Sequence, residues 1–171
     1  VPPSMRIDLT GKLRPGVSAK DLSLWIIGML GSDGANYMSI EFHGDGVSSL
    51  SVSDRMTVAN LASEMGAKNA VFPCDEVLQK FIGSDEKGVW ADEEAEYNCH
   101  ISIDLSKVFP LVAAPHHVDN IKSVASVAGT VVNEGLIGTC TNGRIEDLRT
   151  AAAVLRGTTV KPGFQLHIIP A

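Results

Sequence analysis

The stretch Leu136-Ile-Gly-Thr-Cys-Thr-Asn-Gly-Arg-Ile-Glu-Asp-Leu-Arg149 decides the class of fold. Leu136 and Ile137 read as the end of an apolar strand. Gly138 to Gly143 is a turn built from glycine, threonine and asparagine, and Arg144 to Arg156 has the composition of a helix. A strand that turns tightly into a helix is the repeating unit of α/β architecture. The spacing also imitates a phosphate loop, G-x-x-x-x-G-K-[ST]. Here, however, Arg144 stands in the lysine position and Ile145 where a hydroxyl would hold magnesium. An isoleucine side chain cannot coordinate a metal, which argues against nucleotide hydrolysis.

What remains is a thiol in a particular place. Cys140 lies between a strand end and a helix N-terminus, among Thr139, Thr141 and Asn142. Backbone N–H groups and the helix dipole favour an anion there, and the thiolate is the form of cysteine that ligates metals or attacks electrophiles. The plain alternative is a small apolar filler. The other two cysteines, Cys74 and Cys99, form no CxxC spacing with it. An odd number of unpaired cysteines points away from a secreted disulfide scaffold and towards a reducing, cytoplasmic setting.

Outward from this turn the chain alternates strands and helices. Met5 to Leu9, Tyr37 to Phe42, Lys68 to Phe72, Tyr97 to Leu105 and Gln165 to Ile169 read as strands. Ser18, with Asp21 three residues on, caps a helix that Gly31 ends, and Ser53 or Asp54 caps another that runs to about Met65 and stops at Gly66. Asp75 to Phe81 reads as a further short helix. The acidic run Ser84 to Glu96 reads as solvated surface, and 121–128 as a short helix or turn. The pattern predicts a three-layer α/β/α domain with a mixed sheet covered on both faces, spanning 1–112, and the start of a second such domain over 113–171.

Composition fits one sizeable domain with part of another: 171 residues, 44% hydrophobic and 20% charged. With 14 Lys+Arg against 20 Asp+Glu, the net charge of −6 offers no basic stripe for nucleic acid. No apolar run reaches the length of a membrane span, and Val1-Pro-Pro-Ser4 has none of the features of a signal peptide. An opening without Met and an apolar close at Gln165 to Ala171 lead us to expect a piece of a longer protein.

Other candidates are weaker. Gly44-Asp-Gly46 follows a strand, as in a dinucleotide fingerprint, but Ser49 occupies the third glycine position, so the glycines read as a tight turn. Asn60 and Glu64, four apart, share a helix face with a polar site or with solvent. His116, His117 and Asp119 form a possible cluster at a strand end, more simply a turn.

Taken together, Leu136 to Arg149 and the segment Arg55-Met-Thr-Val-Ala-Asn-Leu-Ala-Ser-Glu-Met-Gly-Ala-Lys68 resemble two motifs of the aconitase superfamily. Ser39-Ile-Glu-Phe-His-Gly44 and Phe72-Pro-Cys-Asp-Glu-Val-Leu78 resemble weaker ones, so the likeness covers nearly the whole chain in the family's order. Its nearest branch is the large subunits of 3-isopropylmalate dehydratases and homoaconitase-like relatives. The resemblance implies a hydro-lyase that isomerises a hydroxy-polycarboxylic acid by removing and re-adding water on a 4Fe-4S cluster. Three cysteines hold the cluster, and its fourth iron acts as a Lewis acid.

Carried over by motif, Cys140 is the metal ligand, Glu64 and Asn60 are catalytic, and Thr139, Thr141 and Asn142 form the cluster and substrate surroundings. Thr139 stands where the family usually has serine, which keeps the hydroxyl. The family's other two ligands and its Asp-Ser-His-Thr segment have no counterpart here, so the chain by itself is expected to hold no cluster. A small subunit with the swivel domain is the implied partner. Aconitate or homoaconitate hydration, and a non-catalytic binding or structural module, stand as alternatives.

Overall fold

The computed structural model describes residues 2–171, which divide into a compact unit ending at Ser126 and a second unit, Val127–Ala171. In the first, β1 (Ser4–Thr10), α1 (Ala19–Leu30), β2 (Ser39–His43), α2 (Val52–Leu61), β3 (Asn69–Val71), α3 (Glu76–Ile82) and β4 (Cys99–Asp104) build a four-stranded sheet of order β3-β2-β1-β4. Every pairing in it is parallel. Antiparallel pairing is confined to a separate ribbon, β5 (Leu111–Ala113) with β6 (Ile121–Ser123).

Strand periodicity divides the sheet into two unlike faces. Met5, Ile7, Leu9, Ile40, Phe42 and Ile103 are buried on one face, under Leu22, Ile26 and Ile27 of α1 and Val58 of α2. Two successive crossovers stepping the same way place both helices on that face. The return from β3 to β4 steps the other way, and so belongs on the opposite face.

That opposite face is polar: Arg6 lies opposite Glu41 and His100, and Asp8 opposite His43 and Ser102. The returning segment meets it through Trp90, 5.0 Å from the His43 ring, and through Tyr97, whose hydroxyl donates to Glu41 Oε2 at 2.7 Å. Burial, together with the Glu41 carboxylate, pushes the Tyr97 hydroxyl up to about 12. On the same face the Arg6 guanidinium forks onto Asp8 at 2.9 and 2.8 Å and holds that carboxyl below its ordinary range, outweighing burial, with help from His100. The third layer is therefore an irregular crossover over charged pairs. The acidic run is solvated only in part, because Trp90 turns inward.

Helix starts follow the capping logic, with one shift. Ser18 and Asp21 form the expected box, and Asp21 also accepts from Leu111 N–H at 2.8 Å, tying the ribbon to α1. For α2 the cap is Ser51, earlier than expected. Asp54 is its reciprocal partner, accepting from the Ser51 N–H at 2.9 Å while Ser51 Oγ accepts from Asp54 N–H at 3.1 Å. The α-helix ends at Leu61 and continues as a tighter turn, Ala62–Met65, to the left-handed Gly66 (φ 81).

Arg55 anchors α2. Buried to 4% exposure, it donates to the carbonyls of Leu50 (3.2 Å) and Val47 (3.1 Å) and forks onto Asp75 at 2.7 and 2.6 Å. Burial alone would raise the Asp75 carboxyl, but the guanidinium and the Leu78 amide outweigh it and hold it below 3.8. Removing one partner strands buried groups, so Arg55→Ala is expected to cost about 3 kcal/mol in urea unfolding. Since the folded-state value is depressed, the stability that Asp75 adds is complete above 3.8 and is lost as pH falls through the lower folded value. The gap between wild type and Asp75→Asn should be full at about pH 7 and shrink as pH falls below 3.8. A gap that persists in acid would refute the ion-pair account.

In the second unit, β7 (Glu134–Gly138) runs into a single helical turn, α4 (Thr139–Asn142), then α5 (Ile145–Leu155), and returns as β8 (Gln165–Ile169). The two strands pair in parallel, from Glu134 opposite Gln165 to Gly138 opposite Ile169. The strand, turn and helix expected around Cys140 are thus observed. Gly143 is the one buried position among the described residues of this unit.

Candidate active site

The cysteine turn is fixed from three sides. A Cβ on Gly138 would lie 1.9 Å from the Ile169 carbonyl oxygen, so only glycine lets β8 come this close. The end of β8 is in turn held by Ala171 N–H, which donates to the Gly143 carbonyl at 2.9 Å. Thr139, a β-branched residue, adopts φ 66. A side chain of this kind in the left-handed region costs about 1–3 kcal/mol and persists only where its surroundings impose it.

Behind the turn, Asp147 accepts from the Arg144 N–H at 3.1 Å and from Asn142 Nδ2 at 2.9 Å. The Arg144 guanidinium reaches back to the carbonyls of Cys140 at 3.0 Å and Thr141 at 2.5 Å. The thiol of Cys140 is exposed. Four of the residues singled out by sequence, Thr139 to Asn142, therefore share one rigid, solvent-facing turn. Asn142 Oδ1 is buried without a hydrogen-bond partner. Its orientation is set by the amide nitrogen on Asp147, which leaves an acceptor awaiting a donor.

Asn60 and Glu64 lie in the first unit, and both are exposed. They do not stack on one α-helix as the four-residue spacing predicts, because α2 ends at Leu61 and Glu64 belongs to the following tighter turn. With three residues per turn instead of 3.6, a four-residue step no longer returns to the same face. The glycines of 44–46 are structural, as expected. A Cβ on Gly44 would sit 2.2 Å from the Leu9 carbonyl oxygen, so β1 fills the space a pyrophosphate would need.

His116 and His117 are exposed, and Asp119 is committed to the Ser32 N–H at 3.2 Å. Cys74 and Cys99 are half-buried; the Cys74 thiol donates to the Glu86 carbonyl at 3.6 Å, and Cys99 packs against the core. Sequence reasoning gave Arg55, Arg144 and Asp147 no role. The available signal was positional: an arginine at the start of a helix opposes the helix dipole and so calls for a nearby acceptor.

The model of the Aconitase family (aconitate hydratase) matches residues 1–131 and 117–171. The chain belongs to the aconitase family. It is 47% identical over its whole length to a 3-isopropylmalate dehydratase large subunit 2 of Archaeoglobus fulgidus and to a 3-isopropylmalate dehydratase large subunit of Clostridium kluyveri. It is 46% identical, again over its whole length, to a 2,3-dimethylmalate dehydratase large subunit of Eubacterium barkeri. The chain spans 42% of the length of each of these relatives. The aconitase-family resemblance read from the cysteine and Asn/Glu motifs is thereby established, and with it membership in a family of hydro-lyases.

The donor set bears on whether these residues fit an iron–sulfur cluster. Such clusters are held by thiolates. The chain offers one exposed thiol on a rigid turn, and no group of three or more His, Cys, Asp or Glu poised for a metal ion exists among the described residues. Cys140 fits as one ligand of a shared cluster. Among the described residues no helix is long and apolar enough to cross a membrane.

Proposed function

We propose that this chain is the central part of the large subunit of an iron–sulfur hydro-lyase acting on a hydroxy-polycarboxylic acid, with 3-isopropylmalate the first candidate substrate. The observation that carries the reading is the exposed Cys140 on its glycine-closed turn, in a chain 47% identical end to end to a dehydratase large subunit. The names of two relatives, one for isopropylmalate and one for dimethylmalate, support an alkyl-substituted malate as the substrate class.

When bound, the 4Fe-4S cluster supplies a Lewis acid that polarises the departing hydroxyl. This chain's residues do the rest within its reach. Cys140 Sγ contributes one ligand. Asn142 belongs to the polar wall of the turn, with Thr139 and Thr141 beside it. The Glu64 carboxylate holds or returns the proton of the substrate hydroxyl, and Asn60 orients that group. We further propose that the cluster-bearing domain begins after residue 112, that a small swivel-domain subunit completes the site, and that the protein works in the cytoplasm.

Two measurements test the reading. The whole large subunit, reconstituted with iron and sulfide and mixed with its small subunit, should convert 3-isopropylmalate to its isomer through the unsaturated intermediate. Absence of conversion of every alkyl-substituted malate tried would defeat the proposal. The 171-residue chain, given the same treatment, should hold no stable cluster. A stable cluster there would mean that Cys74 or Cys99 serves as a ligand, contrary to the half-buried positions they occupy.

A further inference from the structure

We propose that Arg144 is the positioning residue of Cys140: its guanidinium bridges the carbonyls of Cys140 and Thr141 and so holds the turn that presents the thiol. The functional meaning of this inference rests on Cys140 being a cluster ligand; its structural content does not.

A helix of four residues ends before its carbonyls can meet the amides of a further turn. The planar fork of Arg144 supplies donors to two of them at once, at 3.0 and 2.5 Å. Both bonds are charge-assisted, the stronger kind. The side chain also resolves an electrostatic conflict. At the start of α5 a cation faces the positive end of that helix, whereas folded back it lies against the carbonyl end of α4, where a cation is favoured.

The backbone of Arg144 is itself fixed, because its N–H donates to Asp147, and the same carboxylate takes the Asn142 amide. Arginine, aspartate and asparagine thus close a frame around residues 140–144. Thr139 must keep its left-handed backbone (φ 66) for Cys140 to emerge where it does, and the frame lies immediately C-terminal to it. Lysine at position 144 would keep the charge but could reach only one carbonyl with comparable geometry.

The test has two arms. In the 171-residue chain, the backbone chemical shifts of Thr139 report its left-handed conformation, and those of β1 serve as an internal control. Arg144→Ala should move the Thr139 signals towards extended values and leave β1 unchanged. Arg144→Lys should fall between, and Cys140→Ser should have no effect. In the reconstituted large subunit, Arg144→Ala should release iron to a chelator about tenfold faster than wild type, with Arg144→Lys again between and an unchanged melting temperature. Thr139 shifts that stay put in Arg144→Ala, or iron release equal to wild type in both variants, would overturn the positioning role. Failure of the cluster reading would look different: Cys140→Ser would retain its iron whatever Thr139 does.

Discussion

Cys140→Ser, introduced into the whole large subunit, is expected to give a folded protein that binds no intact cluster and turns over at least about a thousandfold more slowly, the rate equivalent of several kcal/mol of Lewis-acid stabilisation. The expectation of intact folding comes from the turn itself. The thiol is exposed and packs no core, while the backbone around it is held by Gly138 against Ile169, by Asp147 and by Arg144. Serine fits the same space. Iron and sulfide content, visible absorbance and the melting curve separate the two effects. Full iron content with full turnover would remove Cys140 from the ligand set, and a collapsed melting curve would make it a structural residue. Cys74→Ser and Cys99→Ser serve as controls, expected to retain the cluster.

The site was legible in proportion to how local its logic is. Gly138 to Gly143 reads as a strand–turn–helix junction because its two glycines mark where the backbone turns, and the structure places β7, α4 and α5 there. The capping box of Ser18 with Asp21 is equally local. At α2 the same rule offered competing caps, and Ser51 won because only it has an acidic residue three positions on at the observed helix start. Long-range partners were not legible. Arg55 and Asp75 are twenty residues apart, and nothing in either segment alone predicts a fork between them. The polar sheet face was missed for a similar reason. Alternation of Arg6 and Asp8 with Met5 and Ile7 reads as a strand, in a sheet expected to be covered on both faces, but nothing local says that Trp90 and Tyr97 of the crossover are laid over the charged side.

Arg144 illustrates the remaining gap. Read against the phosphate-loop pattern it is a failed lysine, and its meaning lies in which carbonyls the backbone brings within its reach. The same holds for Thr139. A threonine in that position looks like a mild change of hydroxyl, yet its φ of 66 makes it a point of stored strain beside the thiol. Residue type announced the chemistry of the turn, and tertiary closure supplies its rigidity.

Glu64→Gln is expected to lower turnover at saturating substrate by about 10²–10⁴-fold while leaving stability within about 0.5 kcal/mol of wild type. The stability half follows from position: Glu64 is exposed, on the turn between Leu61 and Gly66, and the amide is isosteric with the carboxylate it replaces. The turnover half follows from chemistry. Glutamine can still hydrogen-bond a substrate hydroxyl, but it cannot take up or return a proton at neutral pH, so binding survives where proton transfer does not. KM should therefore change little while kcat falls, the pattern of an interaction made mainly in the transition state. Asn60→Ala should behave differently, because an orienting amide contributes to alignment without carrying a proton, and its loss is expected to cost less in kcat than the loss of the carboxylate. An unchanged kcat in Glu64→Gln would remove the proton-handling role and leave the exposed carboxylate as ordinary surface charge. A fall in stability instead of turnover would make Glu64 part of the turn that Gly66 closes, which its exposure argues against.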